Sequence, residues 1–259
     1  MDLGINGRRA IVCASSQGLG LACATSLARE GVEVFINGRD AGRLAAAAAT
    51  IREATGRPVQ TVVADINTDA GRAALVAACP QADILVNNNA GPPPGKLADW
   101  DRAAWTAAIE ANMLAPIFLI QALLPGMRER RFGRIVNITS AMVKSPSPAM
   151  GLSTACRAAL TALSKSVQRE AVADNVTLNN LLPERIDTDR QRFMAERIMK
   201  QRGVTREQAI AEIVQTVAAG RMGRPGEFGD ACAFLCSAQA SFISGQNLQL
   251  DGGSYKGLI

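Results

Sequence analysis

The first residues with chemical promise are Cys13-Ala14-Ser15-Ser16-Gln17-Gly18-Leu19-Gly20, which follow a β-branched run and lead into an alanine- and leucine-rich stretch. A glycine-bearing turn between a strand and a helix can hold a pyrophosphate, because its backbone N–H groups and the helix N-terminus converge on the anion. The same turn would also serve as a plain strand-to-helix connector. Further on, Asn37-Gly38-Arg39 ends a second β-branched run, and arginine presents a planar fork of donors suited to phosphate. Histidine is absent, which excludes Ser-His-Asp and Cys-His nucleophiles and every imidazole metal site. The six cysteines (Cys13, Cys23, Cys79, Cys156, Cys232 and Cys236) are scattered and read as free buried thiols. Cys232 and Cys236 stand one helical turn apart, but no second close pair would complete a metal site, so none is expected.

The elements that must position these residues follow a simple rhythm. Short β-branched runs at Arg9–Ala14, Val32–Asn37, Val59–Val63, Ile84–Asn87, Arg134–Thr139, Thr177–Leu182 and Asn247–Leu250 predict strands. Between them Leu19–Glu30, Arg43–Thr55, Ala70–Ala78, Asp101–Met127, Thr154–Ala173 and Glu227–Ser237 predict helices. That alternation implies an α/β fold, a doubly wound parallel sheet of about seven strands with helices on both faces. No linker or repeat divides the 259 residues, so one domain spanning 1–259 is expected. Two segments break the rhythm: the loop Gly91-Pro92-Pro93-Pro94-Gly95, and a charged stretch at 187–219 that reads as two amphipathic helices split at Gly203. Ligands of open parallel sheets bind beyond the carboxyl ends of the strands, so both should border the site, the second as a lid or a surface insertion. Its arginines Arg185, Arg190, Arg192 and Arg197 read first as solvated charges and second as contacts for an acidic substrate.

Composition narrows the partners. Hydrophobic residues make 48% and charged residues 20%, ordinary for a globular chain with a sizeable core. The net charge of +5 comes without basic runs or interleaved aromatics, which favours a small anion and gives no sign of nucleic-acid binding. No apolar run reaches the ~18 residues needed to cross a bilayer, and Met1-Asp2-Leu3-Gly4 lacks a signal-peptide pattern. A cytoplasmic protein without membrane partners is expected.

From about residue 7 to 253 the chain resembles the short-chain dehydrogenase/reductase family of nicotinamide-dependent oxidoreductases. Cys13 to Gly20 resembles its Thr-Gly-x-x-x-Gly-x-Gly loop, with Ala14 where the first glycine is expected. Asp65-Ile66 resembles the pair that holds the adenine ring. Asn87-Asn88-Asn89-Ala90-Gly91 resembles the Asn-Asn-Ala-Gly strand end with one asparagine too many. Pro183, Ile186 and Thr188 match the Pro-Gly-x-Ile-x-Thr segment beside the nicotinamide, with Glu184 in place of glycine. The stretches Arg221 to Glu227, Ser244-Gly245 and Asp251-Gly252-Gly253 complete the likeness. The resemblance implies cofactor contacts from Cys13, Ser15, Ser16, Gln17, Gly18, Leu19, Gly20, Asn37, Arg39, Asp65, Ile66, Asn88, Ala90, Gly91, Arg157, Pro183, Ile186 and Thr188. A carboxylate at the end of the second strand would repel the extra phosphate of NADP, and Arg39 stands there instead, so NADP(H) is favoured over NAD(H).

Catalytic expectations follow from the same likeness. Asn112 matches the family's active-site asparagine and Ser140 its carbonyl-polarising serine. The tyrosine and lysine that complete the family's machinery are replaced by Ser153 and Arg157, and the only tyrosine, Tyr255, lies beyond the final motif. An aliphatic hydroxyl is a far weaker acid than a phenol, so Ser153 relays a proton better than it sources one. Lys144, four residues after Ser140, is either the acid or an exposed loop lysine. A divergent subgroup often labelled 3-oxoacyl-[acyl-carrier-protein] reductase is similar in having the proline-rich loop and Ser-x-x-x-Arg. Reduction of a ketone or 3-oxoacyl thioester by NADPH is the leading expectation. A catalytically silent NADP-binding regulator and non-redox chemistry on an activated carbonyl are the alternatives. The resemblance further implies a homo-oligomer, commonly a tetramer joined through its long helices.

Overall fold

The computed structural model describes residues 2–258; Met1 and Ile259, the ends of the expected 1–259 domain, lie outside the described residues. Seven parallel strands form one sheet in the order β3-β2-β1-β4-β5-β6-β7. They are β1 (Arg9–Val12), β2 (Glu33–Gly38), β3 (Gln60–Val63), β4 (Ile84–Asn87), β5 (Gly133–Ile138), β6 (Val176–Pro183) and β7 (Asn247–Leu250). The central strands β4 and β5 are buried throughout, so neither shows an apolar–polar alternation, and the polar residues they carry, Asn87, Arg134 and Asn137, are buried as well. The strand order reverses between β1 and β4, and a crevice opens beyond their carboxyl ends.

Helices α1 (Gly18–Arg29), α2 (Ala41–Thr55) and α9 (Pro225–Cys236) cover one face, and α3 (Asp69–Ala78) and α5 (Ala115–Glu129) pack on the other. Helices α1 and α9 approach so closely that a methyl group at Gly229 would stand 2.4 Å from the Ala22 carbonyl oxygen. The thiols of Cys23, Cys232 and Cys236 are fully buried in this layer.

The single long helix expected from Asp101 is divided. Helix α4 (Arg102–Ile109) runs into one π-helical turn, Glu110–Leu114, and then into α5. The turn lets the two halves serve different partners: Trp105 and Ala108 of α4 pack with Trp100, Leu152 and Cys156, while Leu119, Leu123 and Met127 of α5 lie on the sheet. By length and composition alone the span Arg102–Glu129 is apolar enough to cross a bilayer, contrary to the expectation from sequence; burial of those α5 residues against the sheet accounts for its composition.

A line of asparagines crosses the sheet at one level. Asn87, Asn137, Asn180 and Asn247 are in register on β4 to β7. Each side-chain amide donates to the next carbonyl, at 2.8, 3.1 and 2.9 Å. After β6 the chain forms α7 (Asp189–Arg202) and α8 (Arg206–Gln215), split at Gly203 in the left-handed conformation (φ 66°).

Candidate active site

A cleft of about 730 Å³ lies beyond the carboxyl ends of the strands. At its nucleotide end Ala14, Ser16, Gln17, Gly18 and Leu19 line the wall, with Cys13 and Ser15 buried behind them. Ser15 Oγ donates to the Val12 carbonyl at 2.7 Å and accepts from the Asn37 amide at 2.9 Å, which locks the loop to β2. Gly20 permits a close crossing: a Cβ there would meet the Ala14 oxygen at 2.6 Å and Asn88 Nδ2 at 2.8 Å. Ala14 occupies the left-handed region (φ 44°) in which glycine is at ease, so the departure from the motif is carried as backbone strain. Among the described residues no side chain caps the first amides of α1, whereas Asp40, Thr68, Asp101 and Thr205 cap α2, α3, α4 and α8. Those free N–H groups, at the positive end of a helix dipole, suit a phosphate. Asn37 lines the cleft, but its amide is spent on the Val62 and Ala64 carbonyls at 3.1 and 3.0 Å, so it braces the sheet. Arg39 is exposed at the rim beside Arg43, which reaches Gln17 Oε1 at 3.4 Å.

The surplus asparagine has a task of its own. Asn87 heads the buried ladder, Asn88 Nδ2 donates to the Ala14 oxygen at 3.1 Å, and Asn89 Nδ2 donates to Asn67 Oδ1 at 2.8 Å and the Ala111 oxygen at 2.9 Å. Asn89 thus clamps the loop after β4 to the π-turn. Asp65, Ile66, Ala90 and Gly91 also line the cleft. Asn112, on the π-turn, lies off the open cleft and faces a small cavity of about 10 Å³. Asn87 and Asn112 line that cavity, their Oδ1 atoms without a partner among the described residues, and Arg157 forms part of its wall. The space fits one water, which could donate to both oxygens.

Ser140, Ser153 and Arg157 come together at the other end of the cleft. Ser140 stands at the end of β5, where its Oγ accepts from the Met142 amide at 3.2 Å. Helix α6 (Gly151–Ala171) carries Ser153 and Arg157 one turn apart, both buried. Arg157 Nη1 donates to the Ile138 and Thr139 carbonyls at 2.6 and 2.8 Å, Nη2 to the Asn89 carbonyl at 3.4 Å and Nε to Ser153 Oγ at 3.2 Å. Burial, and then the nearby Arg190 guanidinium, pull its pKa down to about 10, so Arg157 remains a cation at neutral pH. Lys144 does not join this group: its ammonium lies 5.3 Å from the Tyr255 ring centroid, and it is absent from the cleft lining. The turn that Ser140 caps, Ala141–Val143, carries Lys144 past the cleft towards the C-terminal segment.

Pro183, Glu184, Arg185, Ile186 and Thr188 line the cleft where β6 leads into α7. Arg185, and not Glu184, takes up the left-handed conformation (φ 53°), while Ile186 bridges to Gly223. Arg190 and Arg197, read from sequence first as solvated charges, are partly buried. Arg190 Nη2 donates to the Pro92 carbonyl at 3.2 Å and Arg197 Nη1 to the Pro94 carbonyl at 3.3 Å. Proline lacks an N–H but keeps its carbonyl, so the triple-proline loop offers these guanidiniums acceptors only. Arg192 does face solvent and pairs with Asp189. Sequence periodicity could have put Arg190 and Arg197 on one helical face, seven residues apart, but not the loop opposite them.

A family model described as enoyl-(acyl carrier protein) reductase matches residues 13–255. The chain belongs to the short-chain dehydrogenase/reductase family. Among short-chain dehydrogenase/reductase relatives, NADPH-dependent reductase BacG of Bacillus subtilis is 31% identical over 256 residues, covering 97% of this chain and 99% of that one. The 3-oxoacyl-[acyl-carrier-protein] reductase FabG of Vibrio harveyi is 30% identical, covering 98% and 99%. Among solved structures, L-sorbose reductase from Gluconobacter frateurii, complexed with NADPH and L-sorbose, superposes with a TM-score of 0.93 at 30% identity over the full length of both chains.

Proposed function

We propose that this protein is an NADPH-dependent reductase of a ketone or 3-oxoacyl thioester, working with Ser140, Ser153 and Arg157. The observation that carries this reading is the Arg157–Ser153 contact in the wall of a cleft whose other end is the glycine-bearing loop at the start of α1. NADPH-dependent relatives of matching length support the cofactor.

The residues present fit that cofactor. The uncapped amides of α1, and the close crossing at Gly20, make a cradle for a pyrophosphate. Arg39 and Arg43 at the end of β2 offer two guanidiniums to a ribose phosphate, with Asp40 turned into the α2 cap by accepting from the Arg43 amide. Asp65 and Ile66 would border the adenine, and Pro183, Ile186 and Thr188 the nicotinamide. When bound, the cofactor supplies a hydride.

The chain's own residues must then stabilise the oxyanion and deliver a proton. Ser140 and Ser153 present hydroxyls to a carbonyl oxygen, and Ser153 Oγ, already accepting from Arg157, keeps its own hydrogen free to donate. The Arg157 charge one bond behind strengthens that donor by stabilising the negative charge left on Oγ as its proton passes on. Water reaching the cleft would replenish the proton, with Ser153 as the relay. Most of the Arg157 donors are spent on the Ile138, Thr139 and Asn89 carbonyls, so it holds β5, the loop after β4 and Ser153 in one arrangement.

Six free, buried cysteines support a reducing, cytoplasmic setting, and Phe118, exposed on α5, supports association of copies through that helix, a tetramer by family likeness. The test is a fluorescence titration with NADPH, followed by oxidation of NADPH over a carbonyl panel of 3-oxoacyl thioesters, keto-sugars and quinones. Turnover lost in Ser140→Ala and Ser153→Ala supports the reading. Tight NADPH binding with no turnover of any carbonyl favours the silent nucleotide-binding alternative, and failure to bind either nucleotide overturns both.

A further inference from the structure

From the charges left unmatched at the substrate end of the cleft, we infer that the substrate is an oxo acid, whose free carboxylate is held by Arg190. This deepens the reductase reading and rests on it for the position of the carbonyl.

The carboxylates that line the cleft are all engaged elsewhere. Asp40 caps α2, Asp65 accepts from the Asn67 amide, Asp189 pairs with Arg192 and Glu184 lies 4.0 Å from Arg185. Among the described residues Arg190 has no carboxylate partner; it lies 5.6 Å from the Phe193 ring centroid, and its bond to the Pro92 carbonyl is to a neutral acceptor that uses one of five N–H groups. The neighbouring cations compound the imbalance, for among the described residues Arg157 in the cleft wall and Arg197 on the same face of α7 also donate only to neutral oxygens. Half-buried like charges without a counter-ion are costly, and an anion entering among them recovers that cost.

One loop joins this guanidinium to the proposed reaction centre. A Cβ at Gly91 would lie 3.6 Å from Arg157 Nη2 and 3.9 Å from Ser153 Oγ, and the very next residue, Pro92, carries the carbonyl that Arg190 holds. Ser153 and Arg190 therefore border consecutive residues of the loop and line the same cleft. A free carboxylate on the molecule whose carbonyl faces Ser153 would meet that guanidinium, whereas the thioester group of a 3-oxoacyl thioester offers it no charge. The triple-proline loop holds the arrangement, since its backbone has little freedom.

The experiment compares acetoacetate with ethyl acetoacetate as substrates of the NADPH-loaded protein, in wild type and in Arg190→Gln. Wild type should prefer the acid, and R190Q should reduce that preference by about 10- to 100-fold, the span of a charged hydrogen bond. Arg190→Lys should retain part of it, and Arg192→Gln, altering an exposed arginine of the same helix, should keep it whole. Calorimetry of the NADP-loaded protein with malonate reads the anion site without turnover, with binding expected in wild type and weakened in R190Q. Equal use of acid and ester, or malonate binding indifferent to R190Q, overturns the inference. So does an R190Q variant whose NADPH affinity falls by the same factor, which would assign Arg190 to the cofactor. Malonate binding without reduction of any carbonyl would instead remove the reductase reading and leave the anion site standing.

Discussion

Arg157 Nε and Ser153 Oγ lie 3.2 Å apart, one helical turn from each other in α6, and the guanidinium is buried among backbone carbonyls on its other side. The pair therefore combines a structural and a chemical task that substitution can separate. Ser153→Ala should leave the melting temperature nearly unchanged while lowering kcat about a hundredfold, as loss of one oxyanion donor does. Arg157→Met should strand the Ile138 and Thr139 carbonyls and cost about 3 kcal/mol of stability, read by denaturant unfolding.

The rate of reduction should be level from about pH 6 to about pH 9, because neither an aliphatic hydroxyl nor Arg157, at about 10, titrates in that interval. A steady-state profile with a sharp break near neutrality would point to another acid. Lys144→Met provides the companion result: with its ammonium over the Tyr255 ring and outside the cleft lining, kcat should stay within about twofold of wild type.

Ala14 holds a left-handed conformation that glycine adopts freely. Ala14→Gly should stabilise the protein by about 1 kcal/mol, raising the melting temperature by roughly 2 °C in a thermal scan.

Arg39→Ala should weaken NADPH about tenfold or more and leave NADH binding unaltered, since only the former has a ribose phosphate for the guanidinium to hold. Parallel fluorescence titrations with the two nucleotides check it.

Glu227 caps α9 by accepting from the Arg224 amide and pairs with Arg221, and those bonds hold its pKa down at about 2. A carboxyl lowered by folding stabilises the native state above its ordinary pKa, and that contribution disappears as pH falls through the folded value. The difference in melting temperature between wild type and Glu227→Gln should thus be full above about pH 4.5 and close as pH approaches 2.

Much of the scaffold was legible in the sequence because it rests on local signals. Strands β4 and β7 match their predicted spans, and the split at Gly203 follows from the conformation that glycine allows. The turn from Cys13 to Gly20 was readable for the same reason, its glycines lying between a strand and a helix. What escaped depends on contacts between distant segments. The π-turn at Glu110–Leu114 has no breaker residue to announce it; it is fixed by the opposing demands of the α4 and α5 partners and by Asn89 reaching Ala111. The Arg157 bonds to backbone carbonyls and the docking of Arg190 on Pro92 likewise involve groups 18 to 98 residues apart. Lys144 shows the converse, a residue near Ser140 in sequence that the following turn carries elsewhere.

The asparagine line across β4 to β7 bears on how this sheet assembles without error. Apolar patterning rejects a strand shifted by one residue, because that turns every side chain over, but it tolerates a shift by two. A two-residue slip of β5 or β6 here would leave primary amides facing hydrocarbon on both sides of the slipped strand, each costing about 1–3 kcal/mol. The four amides thus act as a proofreading device for strand alignment, one that a core built from valine and isoleucine alone does not possess.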